Sequence, residues 1–311
     1  MRALPLAIAL VLGMLLAPPT LRALRARGYV PRNYRGRALP CPFGVLIVVA
    51  AVLALVPVTL IERLGHVAIL YPRFEAAAIY TLGVALLGLI DDTLGSQVGD
   101  PQVGDPRTGD LSSGVGPKGR SSGSSATRAA PRGLGGHARA LGRGELSTGV
   151  LKAGGSLGLA LLAMSLTGLS TGRWLLASAV LVLATGALNL LDLRPGRAVK
   201  AFVVLGAALT IGAGELRTLW TLGLFVGPAL VAGAYDLRER AMLGDTGSNL
   251  LGALAGLWLV FSLGETGQLI ALGLLIALTA YGELRSISML VEQVPLLRRL
   301  DSVGRPEQPL K

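Results

Sequence analysis

The chain has little charge and few aromatic residues. Of its 311 residues, 15% are charged, 5% are aromatic and 52% are hydrophobic. Soluble domains carry about 25% charged residues, so a water-facing shell around each apolar block is excluded. Cysteine is almost absent: Cys41 stands alone, which rules out an internal disulfide and a cysteine metal site. His66 and His137 are the only histidines, too few for a histidine-rich metal centre. Acids are outnumbered, 18 against 29 Lys and Arg, giving a net charge of +11. No nucleic-acid motif accompanies that excess, so no nucleic-acid partner is expected. The apolar stretches are continuous and do not alternate, which argues against a β-barrel.

What the chain does have is apolar blocks of membrane-span length, about 15–20 residues each. They are built from Leu, Ala, Val and Gly, as in helices that pack closely in lipid. The expected fold is all-α: a polytopic integral membrane helical bundle with nine to ten transmembrane helices. Nine stretches qualify: Ala3–Ala17, Phe43–Ile61, Phe74–Ile90, Gly149–Leu169, Arg173–Leu191, Val199–Ala213, Leu216–Ala234, Asn249–Leu263 and Gln268–Gly282. The first, behind Arg2, has the look of a signal peptide. It lacks a small-residue cleavage site and runs into Pro18-Pro19, so an uncleaved span is expected.

Arginines 22, 25, 27, 32, 35 and 37 follow, with no acid between Pro18 and Phe43. The positive-inside rule places that loop in the cytoplasm and the N-terminus outside. Alternation then leaves only Arg2, Arg63, Arg73, Arg173 and Arg217 of the 29 Lys and Arg on the outer side. The chain divides into helices 1–3 with their basic loop (1–94), an insertion (95–135), helices 4–9 with polar cytoplasmic loops (136–284) and a basic tail (285–311). The insertion repeats Gln-Val-Gly-Asp-Pro twice, at Gln97 and Gln102, and continues in Gly and Ser. It has too little apolar surface to offset its ordering entropy. The tail segment Pro295–Arg305 reads as a basic surface helix. The expected location is the cell inner or plasma membrane, multi-pass, with the working face cytoplasmic.

The polar clusters gather at the cytoplasmic ends of spans. They are Asn33–Arg37; Asp91-Asp92; Gly136–Gly149 with Lys152; Asn189 and Asp192 with Arg194, Arg197 and Lys200; and Tyr235–Asn249. A charge inside a bilayer costs roughly 2.5–3.5 kcal/mol on insertion scales, so an adjacent acid pair marks a segment end. Taken alone, Asp91-Asp92 is a solvated helix end, and Gly244-Asp245-Thr246-Gly247-Ser248 is a helix cap. Together they set carboxylates for Mg²⁺ and cations for phosphate at one membrane surface, a combination suited to phosphoryl transfer. The free N–H groups of the Gly244 loop suit an anion such as phosphate.

At these residues the sequence resembles the polyprenyl-phosphate N-acetylhexosamine-1-phosphate transferases. Gly88-Leu89-Ile90-Asp91-Asp92 resembles that family's Asp-Asp signature, Asn189-Leu190-Leu191-Asp192 its Asn-x-x-Asp signature, and Gly244-Asp245-Thr246-Gly247-Ser248 its Gly-Asp-x-Gly-Ser loop. The resemblance implies Mg²⁺-dependent transfer (Mn²⁺ substituting) of a sugar-1-phosphate from a UDP-sugar to undecaprenyl phosphate, with release of UMP. It implies catalytic roles for Asp91, Asp92 and Asp245, and metal ligation by Asp92, Asp192 and Asp245. Asn189, Asp192, Arg35, Arg37, Lys152, Gly244, Gly247 and Ser248 would bind substrate. The implied partners are the membrane, a polyprenyl phosphate lipid, a UDP-sugar and, in a homodimer, a second copy of the chain. The pattern departs from the family where Leu193-Arg194-Pro195-Gly196-Arg197 replaces Gly-x-Asp-Gly, losing an acid and gaining two cations. The family's late histidine loop is absent, since no histidine follows His137.

Two other functions compete. A catalytically silent relative would bind lipid phosphate or scaffold envelope synthesis. A transporter would need ionisable groups near the membrane midplane, where this sequence has almost none. The orientation has a direct check: a topology reporter fused after Leu111 is expected to read cytoplasmic, and a periplasmic reading would overturn the span assignment.

Overall fold

The structure, a computed structural model, describes residues 1–95, 148–285 and 287–304. Most of the insertion expected at 95–135 and the polar stretch from Gly136 to Ser147, His137 included, lie outside the described residues. The described chain forms eleven helices, with no strand among the described residues. They are α1 (Leu4–Ala26), α2 (Val45–Gly65), α3 (Phe74–Gly95), α4 (Thr148–Ser165), α5 (Thr171–Leu191), α6 (Arg197–Ala213), α7 (Arg217–Leu237), α8 (Gly244–Ser262), α9 (Glu265–Leu284), α10 (Ile287–Gln293) and α11 (Pro295–Ser302). Six of them, α1, α2, α3, α5, α7 and α9, are long and apolar enough to cross a membrane. The protein is therefore an all-α membrane protein of several spans. Leu53, Val56, Val203, Val204, Leu269 and Ile270 are exposed on the outside of the bundle, as side chains facing lipid would be.

Each of the nine expected spans falls on a helix, but the boundaries differ. The first helix continues through Pro18 and Pro19 to Ala26, beyond the expected end at Ala17. A proline inside a helix removes one backbone hydrogen bond and crowds the preceding turn. Here α1 lies along both α7 and α2, and tertiary packing carries the helix past the pair.

The helix at the centre of the bundle is α8. It packs against α3, α5, α6 and α7, and it is buried on all sides from Thr246 to Val260. A helix apolar all round belongs inside a bundle. Gly252 and Gly256 make its contact with α5 intimate: a Cβ on Gly252 would lie 2.5 Å from the Thr185 Cα, and one on Gly256 3.1 Å from the Leu181 Cα. Small residues four apart let two backbones approach, which is how helices associate where no hydrophobic force separates protein from lipid. Nearby, the Tyr80 and Thr185 hydroxyls share a buried hydrogen bond of 2.9 Å between α3 and α5.

Filling the Gly252 contact should be costly. Overpacking a close-packed core costs about 1–3 kcal/mol, and Gly252→Ala is expected to lower the apparent Tm in detergent by several degrees. Gly273→Ala has open space around it and should leave Tm unchanged or slightly raised. Equal effects of the two changes would show that α5 and α8 do not pack this closely.

Candidate functional site

The end of the bundle where α3 and α5 finish and α8 begins is polar. The first turn of α8 has no side-chain cap of its own, because Leu243 precedes it. The cap comes from another helix. Asp92, near the end of α3, accepts the backbone N–H of Asp245 (2.9 Å), the N–H of Thr246 (2.8 Å) and the Thr246 hydroxyl (2.6 Å). Gly88, one turn earlier on α3, permits the approach: its Cβ would lie 2.5 Å from the Asp245 carbonyl oxygen. The segment before α2 is tied to the same place. Phe43 and Gly44 donate their N–H groups to the carbonyls of Met242 and Leu243, at 2.8 and 2.9 Å.

The sequence-predicted residues gather here, with altered partners. The N–H groups at the α8 start were expected to receive a phosphate; two of them already hold Asp92, an internal anion. Lys152, expected on phosphate, reaches from α4 to pair with both Asp91 and Asp245. Two carboxylates this close repel, and the ammonium between them removes that repulsion. Asn189 accepts a hydrogen bond from the Ser248 hydroxyl at 2.8 Å, joining the end of α5 to the start of α8. Gly244 has φ +70, a left-handed conformation that favours glycine. Gly247 presses against the Gly44 backbone, so both loop glycines serve the packing of the loop.

Arg35 and Arg37, expected on substrate phosphate, pair with Glu239 at 2.9 and 3.1 Å. Glu239 is buried, and a buried carboxylate needs such partners. The cations gained after Asp192 are also engaged. Arg197 is buried and pairs with Asp301 at 3.0 Å, and Arg194 pairs with Glu292. Lys200 donates to the carbonyls of Leu300, Asp301 and Val303, a cation closing the C-terminus of α11. The basic stretch after Asp192 thus holds the C-terminal segment against the loop beside the site.

A cavity of about 450 Å³ opens at this end. Asp92, Asn189, Asp192, Asp236, Gly244 and Asp245 line it, with Tyr34, Cys41 and Arg194. Asp91, Lys152, Arg35 and Arg37 stand outside that lining. Asp236 and Cys41 were not anticipated as site residues. Asp236 is buried and accepts the Gly196 N–H at 2.6 Å; the only sequence signal for it was its place in the polar Tyr235–Asn249 stretch.

The lining holds four carboxylates and one guanidinium. Burial raises Asp192 well above the usual carboxylate range, and the charges of Asp236, Asp245 and Asp92 add to the rise. Burial, then the hydrogen bond that protonated Asp245 donates to Asp91, pushes Asp245 up to about 7, against the opposing pull of Lys152. Burial first, and these same carboxylates after it, push the Cys41 thiol up. A thiolate is the nucleophilic form, and this site disfavours it at Cys41.

Among the described residues, no group of three or more His, Cys, Asp or Glu side chains is arranged to hold a metal ion. Mg²⁺ needs no such cage: it is commonly held by one or two carboxylates plus substrate phosphates. The Asp192 carboxylate has no hydrogen-bond or ion-pair partner among the described residues and sits among like charges. A divalent cation fits that surplus, with Asp192 and Asp245 as the residues that would hold it. Against protein-family models and against curated proteins, the chain matches none.

The raised acids carry a sign for stability. The folded chain keeps the Asp245 proton to about pH 7, whereas the ordinary carboxylate value is 3.8. Unfolding therefore releases protons between those values, and stability contributed by the site falls as pH rises through that window. Asp192→Asn removes one of the repelling charges. It is expected to raise the apparent Tm by a few degrees at roughly pH 7.5 in divalent-free detergent, and to change it little at roughly pH 5.5. A lower Tm at the higher pH would show that the Asp192 carboxylate is a structural partner.

Proposed function

We propose that this protein transfers a sugar-1-phosphate of the phospho-N-acetylhexosamine type from a UDP-sugar to a polyprenyl phosphate, of the undecaprenyl kind, at the cytoplasmic membrane face. It is a divergent member of the polyprenyl-phosphate N-acetylhexosamine-1-phosphate transferases, acting in cell-envelope glycan synthesis. Its nine helices α1 to α9 cross the membrane, with the N-terminus outside and the C-terminus inside. The observation that carries the reading is the meeting of three distant motifs at one cavity: Asp92, Asn189 with Asp192, and Asp245 line it together.

The reaction needs a phosphate oxygen of the lipid to attack the phosphorus that bears the sugar. The bond from that phosphorus to the UMP oxygen breaks, and UMP leaves with the bonding electrons. The lipid phosphate attacks as its anion, and Asp91, outside the cavity lining, acts by holding Lys152 in place. Lys152, shared between Asp91 and Asp245, supplies positive charge beside the reacting phosphates. Asp192 and Asp245 would hold Mg²⁺, which when bound neutralises phosphate charge. Asp92 acts by position: it fixes the α8 start, and Asp245 with it, and it leaves little capacity for a metal. Asn189, held by Ser248, and Arg194 face the nucleotide side of the cavity.

A second reading has support in the same contacts. The Asp92 oxygens are taken and Lys152 already neutralises Asp91 and Asp245, which favours a silent relative that binds lipid phosphate without turnover. One assay separates the two. Purified protein is given undecaprenyl phosphate, Mg²⁺ and a panel of UDP-sugars, and UMP is measured. Release is expected with at least one donor, and Asp91→Asn and Asp245→Asn should each lower it about 100-fold or more. No UMP from any donor, while an active transferase of this class works alongside, would leave only the silent reading.

A further inference from the structure

A second cavity lies at the opposite end of the bundle, with a volume of about 530 Å³. Three arginines line it: Arg2 before α1, Arg73 before α3, and Arg217 at the start of α7. Two of the guanidinium groups rest on aromatic rings. The Arg2 Cζ lies 5.5 Å from the centre of the Tyr71 ring, and the Arg73 Cζ 5.4 Å from that of Phe261. Stacking of this kind holds the planar group in place and leaves its N–H fork available. Neither has a carboxylate partner among the described residues.

Glu215 is the one carboxylate in the lining among the described residues, and it faces Arg217 at 3.6 Å with both side chains largely exposed. An exposed pair of that kind contributes little and is easily opened. Glu75, on the first turn of α3, is exposed and outside the lining. Thr218, Thr221 and Ser262 supply hydroxyls. The starts of α3 and α7 add a positive dipole end each, while the ends of α6 and α8 oppose them, so the arginines decide the sign.

We propose that this cavity binds a phosphate-bearing anion, as a second site independent of the carboxylate cavity at the other end. The shared chemistry is an anionic phosphate held by guanidinium forks. Its source is either a free phosphate or the headgroup of an anionic phospholipid, since the cavity opens where the helices end. The reading does not rest on the transferase proposal, because no residue is common to the two cavities.

The test uses the full chain in lipid nanodiscs. In phosphatidylcholine discs, binding of inorganic phosphate is measured by calorimetry. In discs containing phosphatidylglycerol, the lipid retained by the protein on release is counted by native mass spectrometry. Binding in the first arm identifies a soluble anion; retention in the second alone identifies a headgroup. In whichever arm binds, Arg73→Gln/Arg217→Gln is expected to weaken binding about tenfold or more. Arg217→Gln alone, a change at a side chain 73% exposed, should weaken it measurably without disturbing the fold. Arg63→Gln, on α2 and outside the cavity, should leave it intact. Failure of both probes, or an equal loss in Arg63→Gln, would overturn the proposal.

Discussion

Asp92 caps a helix to which it does not belong. The start of an α-helix leaves backbone N–H groups without partners, and α8 begins inside the protein with Leu243 before it and no cap of its own. The carboxylate from α3 accepts two of those N–H groups and the Thr246 hydroxyl. That contact fixes the height of α3 against the most buried helix in the bundle. It also fixes Asp91 and Asp245, the neighbours of the two partners, on either side of Lys152. Gly88 is required by the same contact, since any side chain there would collide with the α8 backbone. The arrangement of the polar end therefore follows from one capping interaction between two helices.

The helices were legible in the sequence because their apolar runs are long: each expected span lies on a helix, and six of those helices are long and apolar enough to cross a membrane. The polar end was legible in part. Asn189 and Asp192 share one face of the chain, as three-residue spacing requires, and both reach the cavity. The partner of each group was not legible. Nothing local distinguishes an N–H group open to phosphate from one that Asp92, more than 150 positions away, already fills. Glu239 was hidden for a similar reason: its meaning depends on Arg35 and Arg37, some 200 residues earlier.

The basic stretch after Asp192 shows what sequence alone leaves open about a charge. Arg194, Arg197 and Lys200 stand in the polar cluster beside an acid motif, and nothing local names their partners. In the fold Arg197 is buried against Asp301, and Lys200 closes the end of α11. Removing one member of a buried pair strands the other charge, so Arg197 and Asp301 depend on each other. Of the three cations, only Arg194 also lines the cavity. It pairs there with Glu292, a residue of α10, so the C-terminal segment meets the site through this side chain.

The cavity thus carries more negative charge than the protein neutralises. Asp92 is balanced by helix N–H groups, and Asp236 by the Gly196 N–H. Asp245 is balanced by Lys152, a contact that Asp91 shares. Asp192 has none of these, and burial together with the like charges around it raises its pKa. A stably folded protein with no use for that carboxylate would do better with an amide or an apolar group, because an unpaired buried charge costs more than it returns. A cation would supply the missing balance, and Asp192 is the carboxylate of this cavity that the described partners leave without one.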